Sequence, residues 1–233
     1  MLTKNLFVFV FAAVISGCSI QNSIPVTYHK QPISGVKVDN TDSIGVTQWR
    51  DKRNIAGVKD KYSESAVIRM GGATIGMTHN GQKFVRVADF VRLNFIEELQ
   101  SLGVNARTIE VMPASSDKEL LANIAQNNNV KMVISADLMN FDFNCAGAWT
   151  LECTRSVSFS MSMVDKDGKE IITREVFDAN MSNNEGMGVL HQTVLDQIAN
   201  NVMREALKKA VIRTAQQLNA AKSVAETGLI ASE

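Results

Sequence analysis

The sequence predicts an α/β fold of the α+β sandwich kind, with a mixed sheet of about five or six strands packed by two or three helices and a long C-terminal helix. Three observations lead there. Between Val130 and Phe177, three apolar or alternating runs separated by turn signals read as an antiparallel meander. From Val87 to Leu102, the residues Val87, Phe90, Val91, Phe95, Leu99 and Leu102 fall on one face at helical spacing. From Met187 to about Leu218, a broad stripe holds Leu190, Val194, Leu195, Ile198, Val202, Leu207, Val211 and Leu218.

Taken in order, residues 19–42 are polar and irregular and read as a tether. Ser43–Trp49 reads as the first strand, followed by a charged turn over Arg50–Arg53. Runs on either side of Gly71-Gly72 make a hairpin, and Asn80-Gly81 marks the next turn. Gly103 stands where a helix C-cap glycine belongs, closing the helix that starts at Val87. Val104–Met112 is the next strand. Ser116 and Glu119 then form a capping box for a helix through Gln126. Val130–Met139 is apolar on both faces, as a central strand should be, and continues through Phe141 and Phe143 to Cys145. Its return strand alternates most clearly, with Val157, Phe159, Met161 and Met163 on one face and Ser156, Ser158, Ser160 and Ser162 on the other. Asp165-Lys166-Asp167-Gly168 turns it into a strand over Ile171–Phe177. The final helix is longer than such a sheet needs, so it should overhang or break near Lys208-Lys209, with residues 219–233 frayed.

The N-terminus has its own organisation. Lys4, then an apolar run from Leu6 to Ile15, then Ser16-Gly17, make a secretory signal. Ten apolar residues in a helix reach only about 15 Å, half a hydrocarbon core. Cys18 directly after the small residues resembles the bacterial lipobox, in which the cysteine is lipidated and becomes the mature N-terminus. The expected division is a signal peptide over 1–17, a lipidated N-terminus and tether over 18–42, a single periplasmic domain over 43–218, and a tail over 219–233. Several acyl chains hold a protein firmly where one holds it marginally. Ser19, in lipoproteins of enterobacterial type, implies sorting to the outer membrane. Cys145 and Cys153 would meet an oxidising periplasm and are expected to pair, stapling the tip of the first meander hairpin. Two free thiols or half a metal site are the competing readings.

Composition narrows function further. Hydrophobic content of 45% and charged content of 21% are those of a globular chain. Lys plus Arg and Asp plus Glu are both 24, which argues against nucleic acid as a partner. His29, His79 and His191 are scattered, without a zinc spacing, so no metal site or cofactor is expected. Asp165-Lys166-Asp167-Gly168 lacks the later ligands of a calcium loop. Asp51 with Arg53 reads as a turn salt bridge, because no second acid or nucleophile stands near. Met132, Met139, Met161 and Met163 read as sheet core. No nucleophile elbow, phosphate loop or dinucleotide motif occurs, and no enzyme emerges.

The order of elements, with Gly45-Val46, Asp51 and Arg53, Val87–Gly103, Val133–Phe143, Val157–Val164 and the helix after Val189, resembles the YajG-type family of Gram-negative outer-membrane lipoproteins. The Cys145–Cys153 segment departs from that pattern as an insertion at a hairpin tip. The architecture is also similar to envelope lipoproteins that activate peptidoglycan synthases, secrete curli or build flagellar rings. Those relatives are structural or regulatory binders, whereas the YajG-type family has no established activity, so the resemblance implies a place and a fold and no catalytic residues; an envelope protein of one of these types is the expected partner. The expected function is thus a lipid-anchored periplasmic binding or scaffold module. An envelope hydrolase, or a carrier of an apolar ligand on the Met-rich sheet face, is the alternative. Trp149, mid-loop and without a periodic partner, and Leu151 beside it are the candidate contact residues.

Overall fold

The computed structural model describes residues 23–38, 42–53, 67–70, 73–147, 152–184 and 192–230. Cys18, Trp149, Leu151 and His191 lie outside the described residues. The strands are β1 (Ser23–Thr27), β2 (Ser43–Thr47), β3 (Arg50–Asp51), β4 (Val67–Met70), β5 (Ala73–His79), β6 (Gln82–Val85), β7 (Asn105–Ile109), β8 (Met132–Ala146), β9 (Glu152–Asp165) and β10 (Glu170–Asn184). The helices are α1 (Val87–Ser101), α2 (Lys118–Asn127), α3 (Gln192–Gln197) and α4 (Arg204–Ile230), with a π-helical turn, Ile198–Met203, joining the last two.

The main sheet is the expected mixed one. Its order is β10-β9-β8-β2-β7, with β3 lying beside β8, six strands in all. The meander β8–β9–β10 is antiparallel, while β2 runs parallel to both β7 and β8. The remaining four strands form a second sheet, in which β1 runs parallel to β5 and β4 and β6 pair with β5 antiparallel. The segment Ser23–Thr27, read from sequence as tether, is therefore a strand.

The central strand is apolar on both faces because helices cover both. Met132, Ile134, Ala136 and Leu138 join the large core beneath α1 and the C-terminal helices. Val133 joins Val164, Ile109, Leu121 and Ala125 beneath α2. At the middle of the large core is Trp49, fully buried, its ring 5.0 Å from Phe159 and 5.8 Å from Phe95. Arg92, 2% exposed, ties α1 to the strand ends by donating to the carbonyls of Val46 and Ile109 and to Glu110 Oε1 at 3.0 Å. On the α2 side, a Cβ at Gly45 would lie 2.1 Å from Ile109 Cδ1, so any larger residue there would force the Ile109 side chain to move.

Local chemistry explains where expectation and structure part. Gly103 caps α1 with φ +84°, as expected. The N-cap of α2 is Asp117, whose carboxylate accepts from the Glu119 N–H at 2.9 Å, and not Ser116. The Ser116 hydroxyl is engaged elsewhere, accepting from Arg50 Nη2 at 2.8 Å. Met139 is exposed and not core, because β8 bulges between Leu138 and Asn140. The last helix does not break at Lys208-Lys209. Lys209 instead donates to the Asp178 carbonyl at 2.6 Å, and α4 continues to Ile230, past the start of the expected frayed tail. Its irregularity comes earlier, in the π turn. There Asn200 Nδ2 donates to the Asp196 carbonyl at 3.0 Å, competing for the acceptor an α-helical N–H would use.

Candidate functional site

The β-strands of the meander are 15, 14 and 15 residues long, against five for β2 and for β7. Among the described residues, the face opposite the large core is roofed by α2 where Val133 and Val164 lie, and Ser135 and Ser162 beside them are still buried. Beyond it, pairing sets the side chains in rows across the strands. The first row is Asp137, Ser160 and Val176; the second is Asn140, Ser158 and Asp178. Asp142, Ser156 and Asn180 follow, and then Asn144, Thr154 and Ser182. Asp142, Asn144, Thr154, Val176, Asp178, Asn180 and Ser182 are exposed, and Asn140 and the three serines are half-buried. Neighbouring side chains stand about 4.8 Å apart across strands and about 6.8 Å apart along them. The result is a lattice of hydroxyls, amides and carboxylates around the exposed Val176, in which Asn140 donates to Ser156 Oγ at 2.6 Å and Ser182 to Glu152 Oε1 at 2.9 Å.

A charged rim borders the lattice. Arg50 reaches from β3 to the Asp137 carboxylate and donates to the Pro113 carbonyl at 3.1 Å, while Lys52 Nζ stands 2.9 Å from Asp137 Oδ2. Burial works to raise the Asp137 pKa, but the hydrogen bonds and charges of Arg50 and Lys52 outweigh it and hold the carboxyl below the usual range. Next along the rim, Arg53 forks onto Asp51, with Nη2 2.7 Å from Oδ2 and Nε 2.9 Å from Oδ1. This is the turn salt bridge expected from sequence. Partial burial raises the pKa of Asp142, against the pull of Arg53.

The two body cysteines face each other across the same hairpin, on the core side. Cys145 and Cys153 are register partners, bridged by a disulfide with Cα atoms 4.1 Å apart, and Cys153 is fully buried. Two residues in from the bridge, the buried Arg155 lies with its guanidinium 4.8 Å from the centre of the Phe143 ring. The structure thus puts the stapled tip and the polar lattice on one hairpin. The alternation of β9 showed its own row of that lattice in the sequence. The contributions of β8 and β10, and the burial of Arg155, depend on register.

The carboxylate of Asp165 is spent on its own turn, accepting from the N–H groups of Asp167 and Lys169 at 2.9 and 2.8 Å. His79 pairs with Glu97 at 3.2 Å, and the His29 N–H donates to Asn200. Among the described residues, no group of three metal-ligating side chains is placed to hold a metal ion, and no helix is long and apolar enough to cross a membrane. The Met-rich face is core, with Met132, Met161 and Met163 at most 2% exposed.

The chain shares its fold with protein XCC0632 from Xanthomonas campestris, of the family DUF330. The TM-score is 0.52 at 8% identity, covering 86% of this chain and 98% of that one. Other similar structures include a PelC dodecamer from Paraburkholderia phytofirmans, at TM-score 0.38 and 12% identity over 75% of this chain and 93% of that one. Lipoprotein GNA1162 from Neisseria meningitidis is similar at TM-score 0.30 and 16% identity, over 68% of this chain and 98% of the other. At 8% identity the likeness to the Xanthomonas protein is one of fold. No family model matches the chain, and no curated protein matches its sequence.

Proposed function

We propose that this protein is a non-catalytic binding module of the cell envelope, lipid-anchored through Cys18 at the periplasmic face of the outer membrane. The observation that carries the reading is the open lattice on β8–β10. Long strands continue past the helix that roofs them and present hydrogen-bonding side chains in register across three strands. A surface of this kind recognises a polar partner, and the disulfide beside it reduces the entropy lost on docking. Trp149 and Leu151 at the stapled tip supply the apolar anchor that the lattice lacks. The partner class we infer is an envelope protein of the peptidoglycan-synthesis, secretion or flagellar type, the kinds served by envelope lipoproteins of similar architecture.

Crosslinking and pull-down from intact cells tests this. Wild-type protein should capture a partner that both Trp149→Ala and the triple variant Asn140→Ala, Ser158→Ala, Asp178→Ala lose while remaining folded. If both variants retain it, the surface is wrong. Hydrolysis of peptidoglycan or of an ester panel by the purified mature protein would overturn the non-catalytic reading. Palmitate labelling that persists in Cys18→Ser would overturn the anchor.

A further inference from the structure

Residues 23–38 look like tether in sequence and are laid on the body in the structure. β1 pairs with the edge of β5 from Ser23 opposite Thr74 to Thr27 opposite Thr78. Val26 is fully buried and Tyr28 is 8% exposed, while Ile24, Ile33 and Val38 pack half-buried against the core. On the side away from β5, helical side chains substitute for a neighbouring strand. Asp196 Oδ1 accepts from the Thr27 N–H at 3.3 Å, and Asn200 Nδ2 donates to the Thr27 carbonyl at 2.8 Å. Asn200 Oδ1 accepts from the His29 N–H at 2.7 Å, and Arg204 donates to the His29 carbonyl at 2.8 Å. These side chains, spaced four residues apart through the π turn, hold the backbone of the segment, and the Arg204 guanidinium also lies 5.8 Å from the centre of the Tyr28 ring. Lys30 pairs with Glu97 at 3.3 Å, and Asn219 donates to the Lys37 carbonyl at 2.9 Å.

One contact joins a hydrogen bond to a burial cost. The Tyr28 hydroxyl donates at 2.6 Å to Glu98, a carboxylate 1% exposed whose Oε2 has no hydrogen-bond partner among the described residues. Burying a carboxylate on so few hydrogen bonds is unfavourable, and lifting Tyr28 away would open it to water.

We propose that residues 23–38 are a releasable strap that stores tether length. The proposal rests on Cys18 being the anchor. With the strap latched, the body hangs from Cys18 on the residues up to Ser23, a span of about 17 Å at most. With it released, the tether extends to β2, about 80 Å at full extension. The latch of Asp196, Asn200 and Arg204 sets which of the two obtains.

Native-state hydrogen exchange on the mature full-length protein, bound to vesicles of phosphatidylethanolamine and phosphatidylglycerol, tests it. Protected amides of residues 26–29 should exchange through an opening at least about tenfold more populated than the one that exposes β9. Asn200→Ala with Arg204→Ala should raise that exchange about tenfold further and leave β9 amides at wild-type rates. Energy transfer from a dye on the body to a lipid dye should fall in the same variant. Exchange of residues 26–29 in step with β9, or unaltered energy transfer, would overturn the strap. Exchange reads the latch whether or not lipid is attached. Failure of wild-type protein to sediment with vesicles therefore identifies loss of the anchor separately, and ends the tether reading whatever the latch does.

Discussion

The two faces of the β8–β10 meander share one backbone and differ in almost everything else. On β9, Val157, Phe159, Met161 and Met163 are fully buried, while Ser156, Ser158 and Ser160, one residue away from them, are half exposed. The inner face joins Trp49, Phe95 and Phe177 in one packed core. The outer face beyond α2 is held by register alone. The lesson is a division of labour: inner-face substitutions should change stability, and outer-face substitutions should change binding with the fold left standing. Each of the following experiments would break or sharpen that division.

The largest effect is expected at Trp49. Trp49→Ala should cost about 3–5 kcal/mol in denaturant unfolding. Trp49→Phe should cost less, because the indole N–H has no acceptor among the described residues and its removal strands nothing. A cost under about 1 kcal/mol for the alanine variant would move the centre of the core elsewhere. Next comes the staple. Cys145→Ser with Cys153→Ser should lose about 2–3 kcal/mol, from the freed loop in the unfolded chain. Alkylation of both thiols in native, unreduced protein would show that the bridge is not formed.

Gly45→Ala should cost about 1–3 kcal/mol by overpacking against Ile109. Ile109→Val in the same chain should recover part of it, and strict additivity of the two would mean that they do not touch. The smallest effect belongs to the outer face. Asn140→Ala, Ser158→Ala and Asp178→Ala should each stay within about 0.5 kcal/mol of wild type by thermal unfolding. A loss of several kcal/mol from any of them would erase the distinction between the faces.

Local signals in the chain by themselves determined the helix at Val87–Ser101, its glycine cap, the Asn80-Gly81 turn and the inside-outside assignment of β9. In each case the cause lies within a few residues: a period, a left-handed φ, an alternation. The pairing of Cys145 with Cys153 belongs with these, because a hairpin brings close neighbours in sequence face to face. The tertiary structure decided whatever depended on a distant partner. Ser23–Thr27 is a strand because β5, some fifty residues on, offers an edge to it. Asp117 caps α2 in place of Ser116 because Arg50 takes the serine hydroxyl. Met139 points to solvent because register with β9 puts the bulge there. Trp49 reads in sequence as the end of a short strand, beside Gln48 and Arg50. Only the closing of α1 over β8 and β9 makes Trp49 the middle of a core, since burial is a property of what packs on a residue and not of the residues beside it.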